Sequence, residues 1–237
     1  MKKNLILVLV CFAWTLPLSA QITREQATEI VMEHLDEEMM PFITLYTLND
    51  IQLEGFLLNT SQGGALELDF AAWVYYLTYA NSTKSKYLFV HESKGNVLEI
   101  NLNNCDTPID FPQWIVVPII IPIKEYFFKI LSSQQNNNSQ GIVHIINSKE
   151  ELNNYFISGY LPNIDFSKYT LLLAHGEEIN GATLNTLSLQ QLSVKHYVMN
   201  VDILLNWTMV ITNWQLLVIV NKIADESDIE LIVTRHY

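Results

Sequence analysis

Residues 23–48, TREQATEIVMEHLDEEMMPFITLYTL, change periodicity partway along, and that change sets the fold class. Thr23 and Gln26 form a capping box, in which the Thr23 hydroxyl accepts from the Gln26 amide and the Gln26 side chain accepts from the Thr23 amide. Ala27, Ile30, Val31, His34 and Leu35 then recur at helical spacing, with Glu25, Glu29, Glu33 and Glu37 opposite. This predicts an amphipathic helix with His34 on its buried stripe, ended near Met40 by Pro41. From Phe42 the period becomes two. Strands are expected over 42–48, 51–58, 66–79 and 87–100, separated by Asn49-Asp50, Gln62-Gly63-Gly64, Asn81-Ser82-Thr83 and Lys94-Gly95-Asn96. Trp73, Tyr75, Leu77 and Tyr79 alternate with Val74, Tyr76 and Thr78, as in a strand covered on one face and partly exposed on the other.

The same logic returns downstream. Residues 142–146 read as a strand, Ser148-Lys149-Glu150-Glu151 as a second capping box, and Leu152, Tyr155 and Phe156 as the buried side of a short helix. Strands follow over 170–175, 183–192, 196–205, 214–221 and 228–236. Between the halves lies the polar tract 132–141, SSQQNNNSQG, which cannot bury apolar area and reads as a linker. The alternative is a long hairpin loop inside one domain. The expected fold is α+β: two modules, residues 21–103 and 142–237, each one helix packed on an antiparallel β-sheet, joined by a connector over 104–141.

Residues 1–20 read as a cleaved signal peptide: Lys2 and Lys3, an apolar run from Leu5 to Val10 with Phe12, Ala13 and Trp14, and Leu18-Ser19-Ala20 before the cut. An exported protein is implied, periplasmic or secreted to the cell surface. Acylation at Cys11 is the alternative, weakened because Val10 stands where such sites want a small residue. The other apolar stretch, 114–123, holds Pro118 and Pro122 and is too short to cross a bilayer, so no transmembrane span is expected in the mature chain.

The net charge is −12, and removing residues 1–20, which contain two lysines and no acid, makes it −14. Such a chain is repelled by phosphate backbones, so nucleic acid is not an expected partner. Cleavage leaves Cys105 alone, which excludes an intramolecular disulfide, and an adjacent Asp106 gives it no cation to activate the thiol. The histidines follow no metal-binding spacing, and no cofactor is expected. His175-Gly176-Glu177-Glu178 brings an imidazole and two carboxylates together, but a cation site needs more ligands, and a solvated hairpin tip is the simpler reading. The aromatic residues Trp73, Tyr75, Tyr76, Tyr79, Trp207 and Trp214 suit a groove wall or a core, and Trp207 is the best candidate for exposure because it falls between two strands.

Ile22-Thr23-Arg24-Glu25-Gln26-Ala27, Trp73-Val74-Tyr75, and Tyr87-Leu88-Phe89-Val90 leading into Lys94-Gly95-Asn96-Val97-Leu98 resemble the PepSY-like propeptide and inhibitor domains found beside secreted bacterial peptidases. Ser148-Lys149-Glu150-Glu151-Leu152 and the run from Asp165 to Gly176 resemble the PrcB-type domain of a bacterial surface protease complex. The sequence departs from that pattern at Asn180-Gly181-Ala182, where a Thr-Gly-Gly turn is usual, and lacks a proline-rich stretch between Leu205 and Trp214. The resemblances imply a non-enzymatic module that binds a protein partner, with a secreted or envelope peptidase the natural choice. Trp73, Tyr75, Tyr79, Trp207, His175, Glu177 and Glu178 are the expected interaction residues. A cryptic hydrolase or a small-ligand- or carbohydrate-binding protein is the alternative, and a structural surface protein a third.

Overall fold

A computed structural model describes residues 21–80, 82–102, 106–131, 141–156, 163–208, 211–224 and 226–237. The signal-peptide reading, Cys105 and most of the Asn-rich tract lie outside these residues. The described chain is mostly antiparallel β-sheet with two α-helices, consistent with a mixed α+β class.

Helix α1 (Arg24–His34) has both capping-box bonds, Gln26 N to Thr23 Oγ1 at 3.3 Å and Thr23 N to Gln26 Oε1 at 3.0 Å. It stops well short of Met40. Asp36, Glu37 and Glu38 would sit at the negative end of the helix dipole, and the Asp36 carboxylate instead accepts from the Glu38 amide in a turn at 3.0 Å. His34, the last residue of α1, is corrected too: it is exposed and pairs with Glu99 at 2.6 Å rather than packing in the core.

The strands β1 (Ile43–Thr47), β2 (Leu57–Asn59), β3 (Ala65–Glu67), β4 (Ala72–Tyr79), β5 (Ser85–His91), β6 (Val97–Leu102) and β7 (Ile115–Val117) complete the first half. Five of them form a sheet in the order β6-β5-β4-β1-β7. Against one face lie Ala27 and Val31 of α1, packed with Ile43, Leu45, Tyr75, Leu77, Leu88 and Val90. Against the other lie Leu58, Leu68 and Trp114, packed with Val74, Tyr76, Tyr87 and Phe89. β4 is therefore covered on both faces, which is why apolar residues occupy nearly every position along it.

The second half contains β8 (Ile119–Ile120), β9 (Ile123–Leu131), β10 (Ile142–Ile146), α2 (Lys149–Tyr155), β11 (Tyr169–Glu178), β12 (Ala182–Ser193), β13 (His196–Leu205), β14 (Thr212–Asn221) and β15 (Asp228–His236). Two four-stranded sheets result, β10-β11-β14-β9 and β15-β13-β12-β8, with β15 parallel to β13. They approach each other where β10 nears β15 and β9 nears β12, giving a partly closed barrel. Alternate residues point inward: Leu172 and Ala174, Trp214, Leu216 and Val218, and Tyr197, Met199, Val201 and Ile203 all belong to one buried cluster. Helix α2 covers the outer face of the first sheet, where Leu152 packs with Ile146, Leu171, Leu173, Leu217 and Ile219.

The connector expected over 104–141 is largely strand. Its three strands are divided between the halves: β7 pairs with β1, while one residue later, past Pro118, β8 pairs with β12 and then β9 with β14. In sequence the tract 132–141 falls between β9 and β10, the two edge strands of a single sheet.

One cluster of buried residues includes members of both halves, from Ala27 to Ile223. Gln191, buried on β12, donates from Nε2 to the carbonyls of Ile43 at 2.7 Å and Pro41 at 3.3 Å. Tyr197 donates its hydroxyl to the same Pro41 carbonyl at 3.1 Å, and the Val194 amide donates to Thr44 Oγ1 at 3.2 Å. The two-module layout is thus not confirmed.

Candidate interaction surface

Three chain segments meet at one end of the barrel. Ile179, Asn180 and Gly181 turn between β11 and β12, Asn206-Trp207-Thr208 follow β13, and Tyr237 follows β15. Trp207 is 85% exposed, and Ile179 and Tyr237 are each 71% exposed. The Trp207 and Tyr237 rings lie 5.5 Å apart, tilted by 35°. With Ile179 and Asn180 they line a cleft of about 460 Å³. Ile211, 63% exposed, extends the apolar patch, because Glu178 pairs with Thr212 and leaves Ile179 and Ile211 side by side beyond the strand ends.

The turn that carries Trp207 is locked. Asn206 Oδ1 accepts from the Thr208 amide at 3.1 Å and from the Thr208 hydroxyl, closing an Asx-turn. The Asn206 amide donates to the Gly181 carbonyl at 2.8 Å, and the Gly181 amide donates to Thr208 Oγ1 at 3.2 Å. The Asn206 side chain covers Gly181 so closely that no Cβ would fit there. Asn180-Gly181-Ala182 therefore has a local role: its glycine lets one loop brace the other.

Beneath this end, Glu178 is buried and accepts from Arg235 Nε at 2.8 Å, while its second oxygen, Oε1, has no hydrogen-bond partner among the described residues. This corrects its expected place on the surface: residues 172, 174, 176 and 178 face the barrel interior, so Glu178 points inward and Glu177 outward. Tyr75 is corrected likewise. It is fully buried, with its hydroxyl 2.9 Å from Thr28 Oγ1, and burial pushes its phenol up to about 12 against the smaller opposing effect of that hydrogen bond. Trp73 is half-buried and donates from Nε1 to the Ile22 carbonyl at 2.8 Å. Tyr79 is half-buried, with Lys86 Nζ 5.9 Å from its ring centre. Of the expected residues, Trp207 alone lies at the barrel-end cleft. Ile179 and Tyr237 were missed, although both flank strands that the alternation revealed.

His175 is half-buried on the outer face, with Nε2 3.2 Å from His144 Nε2. Burial first, then repulsion from His144, hold its pKa below the ordinary histidine value. His91 stacks on Phe70 and accepts from the Ser93 amide at 3.3 Å. A hydrolase would require one of these histidines to meet both a carboxylate and a hydroxyl, and neither does so in these contacts. Among the described residues, no three His, Cys, Asp or Glu side chains converge as a metal cluster, and no helix is long and apolar enough to cross a membrane.

Comparison with protein-family models, with curated proteins and with solved structures returns no match.

Proposed function

We propose that the protein is an exported, non-enzymatic binding module that docks another secreted or envelope protein through the barrel end bearing Trp207, Tyr237 and Ile179. The observation that carries this reading is a tryptophan held almost fully in solvent by a braced turn. Exposed apolar area of this kind is unfavourable in water and marks sites where a partner covers it. Tryptophan and tyrosine are also the residues on which binding energy concentrates. Bracing lowers the conformational entropy lost on association, so the ring is presented ready to dock.

The resemblance of the first half to PepSY-like domains and of the second to PrcB-type domains suggests a peptidase as the partner, which the module restrains or assists. An acidic chain, of net charge −14 once residues 1–20 with their two lysines are removed from the −12 of the whole, favours a partner with a basic rim around its apolar pocket.

The test uses the protein as immobilised bait in an envelope extract, with captured material assayed for peptidase activity. A specific partner retained by the unaltered chain and lost with Trp207→Ala is expected. Absence of any specific partner across several salt concentrations, or equal retention by the variant, defeats the proposal. Retention that is competed away by soluble oligosaccharide instead would move the cleft to carbohydrate binding.

A further inference from the structure

We propose that His144 and His175 form a binding site for a divalent transition-metal ion of the imidazole-preferring kind, Cu(II), Ni(II) or Zn(II), with Tyr155 as a positioning residue. The site lies on the outer face of the barrel, on strands distinct from the loops that carry Trp207, and is independent of the proposed docking role.

The two histidines are 31 residues apart and come together through the β10–β11 register alone. His144 pairs with Leu173 and His175 with Ile142, so the two are diagonal neighbours on the outward face of adjacent strands. Their ring centroids are 5.3 Å apart while the Nε2 atoms are 3.2 Å apart, with the planes within 22°. The rings therefore approach each other through their Nε2 corners, which places the two nitrogens side by side at the surface of the sheet. Two metal–nitrogen bonds of about 2.0–2.1 Å at a tetrahedral angle set their nitrogens roughly 3.3 Å apart, so this separation already matches the bite of a single ion.

A third group orders the pair. The Tyr155 hydroxyl on α2 lies 3.2 Å from His144 Nδ1, and its ring centre lies 4.7 Å from the imidazole. In the metal-free protein the phenol can donate to Nδ1, which leaves the His144 proton on Nε2 directed at His175. When an ion replaces that proton, the tautomer reverses and Nδ1–H donates to the phenol oxygen. Tyr155 serves both states, the orienting role that outer hydrogen bonds play around metal-bound histidines. Metal binding requires both imidazoles to be neutral, so the site should fill as pH rises through the histidine range. With two protein nitrogens, the remaining positions fall to water or to a donor brought by another molecule. Such a site is exchangeable rather than structural, and its affinities follow the Irving–Williams order with Cu(II) tightest.

Cu(II) titration of the folded protein, followed by electron paramagnetic resonance, tests the site. One ion per chain with splitting from two nitrogens is expected. His175→Gln and His144→Gln should each weaken binding at least about tenfold and leave one nitrogen, while Tyr155→Phe weakens it about tenfold with both nitrogens kept. His34→Gln, at the separate His34–Glu99 pair, should bind as the unaltered chain does. A two-nitrogen spectrum that persists in His175→Gln, or the absence of stoichiometric binding, overturns the proposal. A measurement without variants gives the same decision: Zn(II) added to nitrogen-15-labelled protein should move the Nε2 resonances of His144 and His175 ahead of every other histidine, and movement confined to the others would refute the site.

Discussion

Gly176 on β11 lies opposite Trp214 on β14, and the indole occupies the space that a side chain at Gly176 would take: a Cβ there would stand 2.6 Å from Trp214 Cζ2. Trp214 is fully buried and stacks on Phe128 at 6.3 Å, so it has little room to yield. The glycine is thus part of the barrel core. Gly176→Ala should destabilise the fold by about 1–3 kcal/mol through overpacking. Urea unfolding checks this, and a midpoint equal to that of the unaltered chain would show that the indole moves aside freely.

Gln191 ties the two halves together through the Pro41 and Ile43 carbonyls. Gln191→Ala leaves both carbonyls buried without that donor, and stability should fall by about 1–3 kcal/mol, lessened because Gln191 Oε1, which has no partner among the described residues, is removed as well. Calorimetry of the unaltered chain should give one transition, because the core is continuous. Two resolved transitions in the unaltered chain would instead restore the layout of independent modules.

Acid should act on the fold through His175, whose folded pKa is lowered by burial and by His144. The unfolded chain takes up this proton near the ordinary value of about 6.5, before the folded chain does. Stability from this group is therefore whole above that value, declines as pH falls below it, and levels off beneath the folded pKa. Its neighbours are His144 on β10 and, through His144, Tyr155, with Gln215 opposite it on β14 and Glu177 two residues along its own strand. His175→Gln should flatten the fall in urea midpoint between about pH 7 and pH 5, and an unchanged slope would assign the acid sensitivity elsewhere.

The elements legible in the sequence were those with a local cause. Both N-caps, the two helices and β10 to β15 follow from hydroxyl spacing and from alternation, and β13 and β15 have the bounds that the alternation implies. What was hidden depends on partners distant in the chain. β9, with Lys124, Glu125 and Lys129 among its aromatic residues, gives no clean period, and it becomes a strand because β14 offers an edge. The change of sheet at Pro118 is invisible for the same reason. At the barrel end, the apolar character of Trp207 and its place between strands pointed to exposure, whereas Tyr237 and Ile179 join it through strand ends that meet only in three dimensions. His144 and His175 likewise show no motif spacing, since a strand register brings them together.

Site-specific photocrosslinking tests the docking surface most directly. A photoreactive residue placed at Trp207 should capture a discrete envelope or secreted protein in an extract. The same residue at Leu53, 68% exposed in the other half of the molecule, should not. Crosslinks to one partner from position 207 alone are the predicted result. Equal crosslinking from both positions, or none from position 207, would contradict the assignment of this end of the barrel as the site of binding.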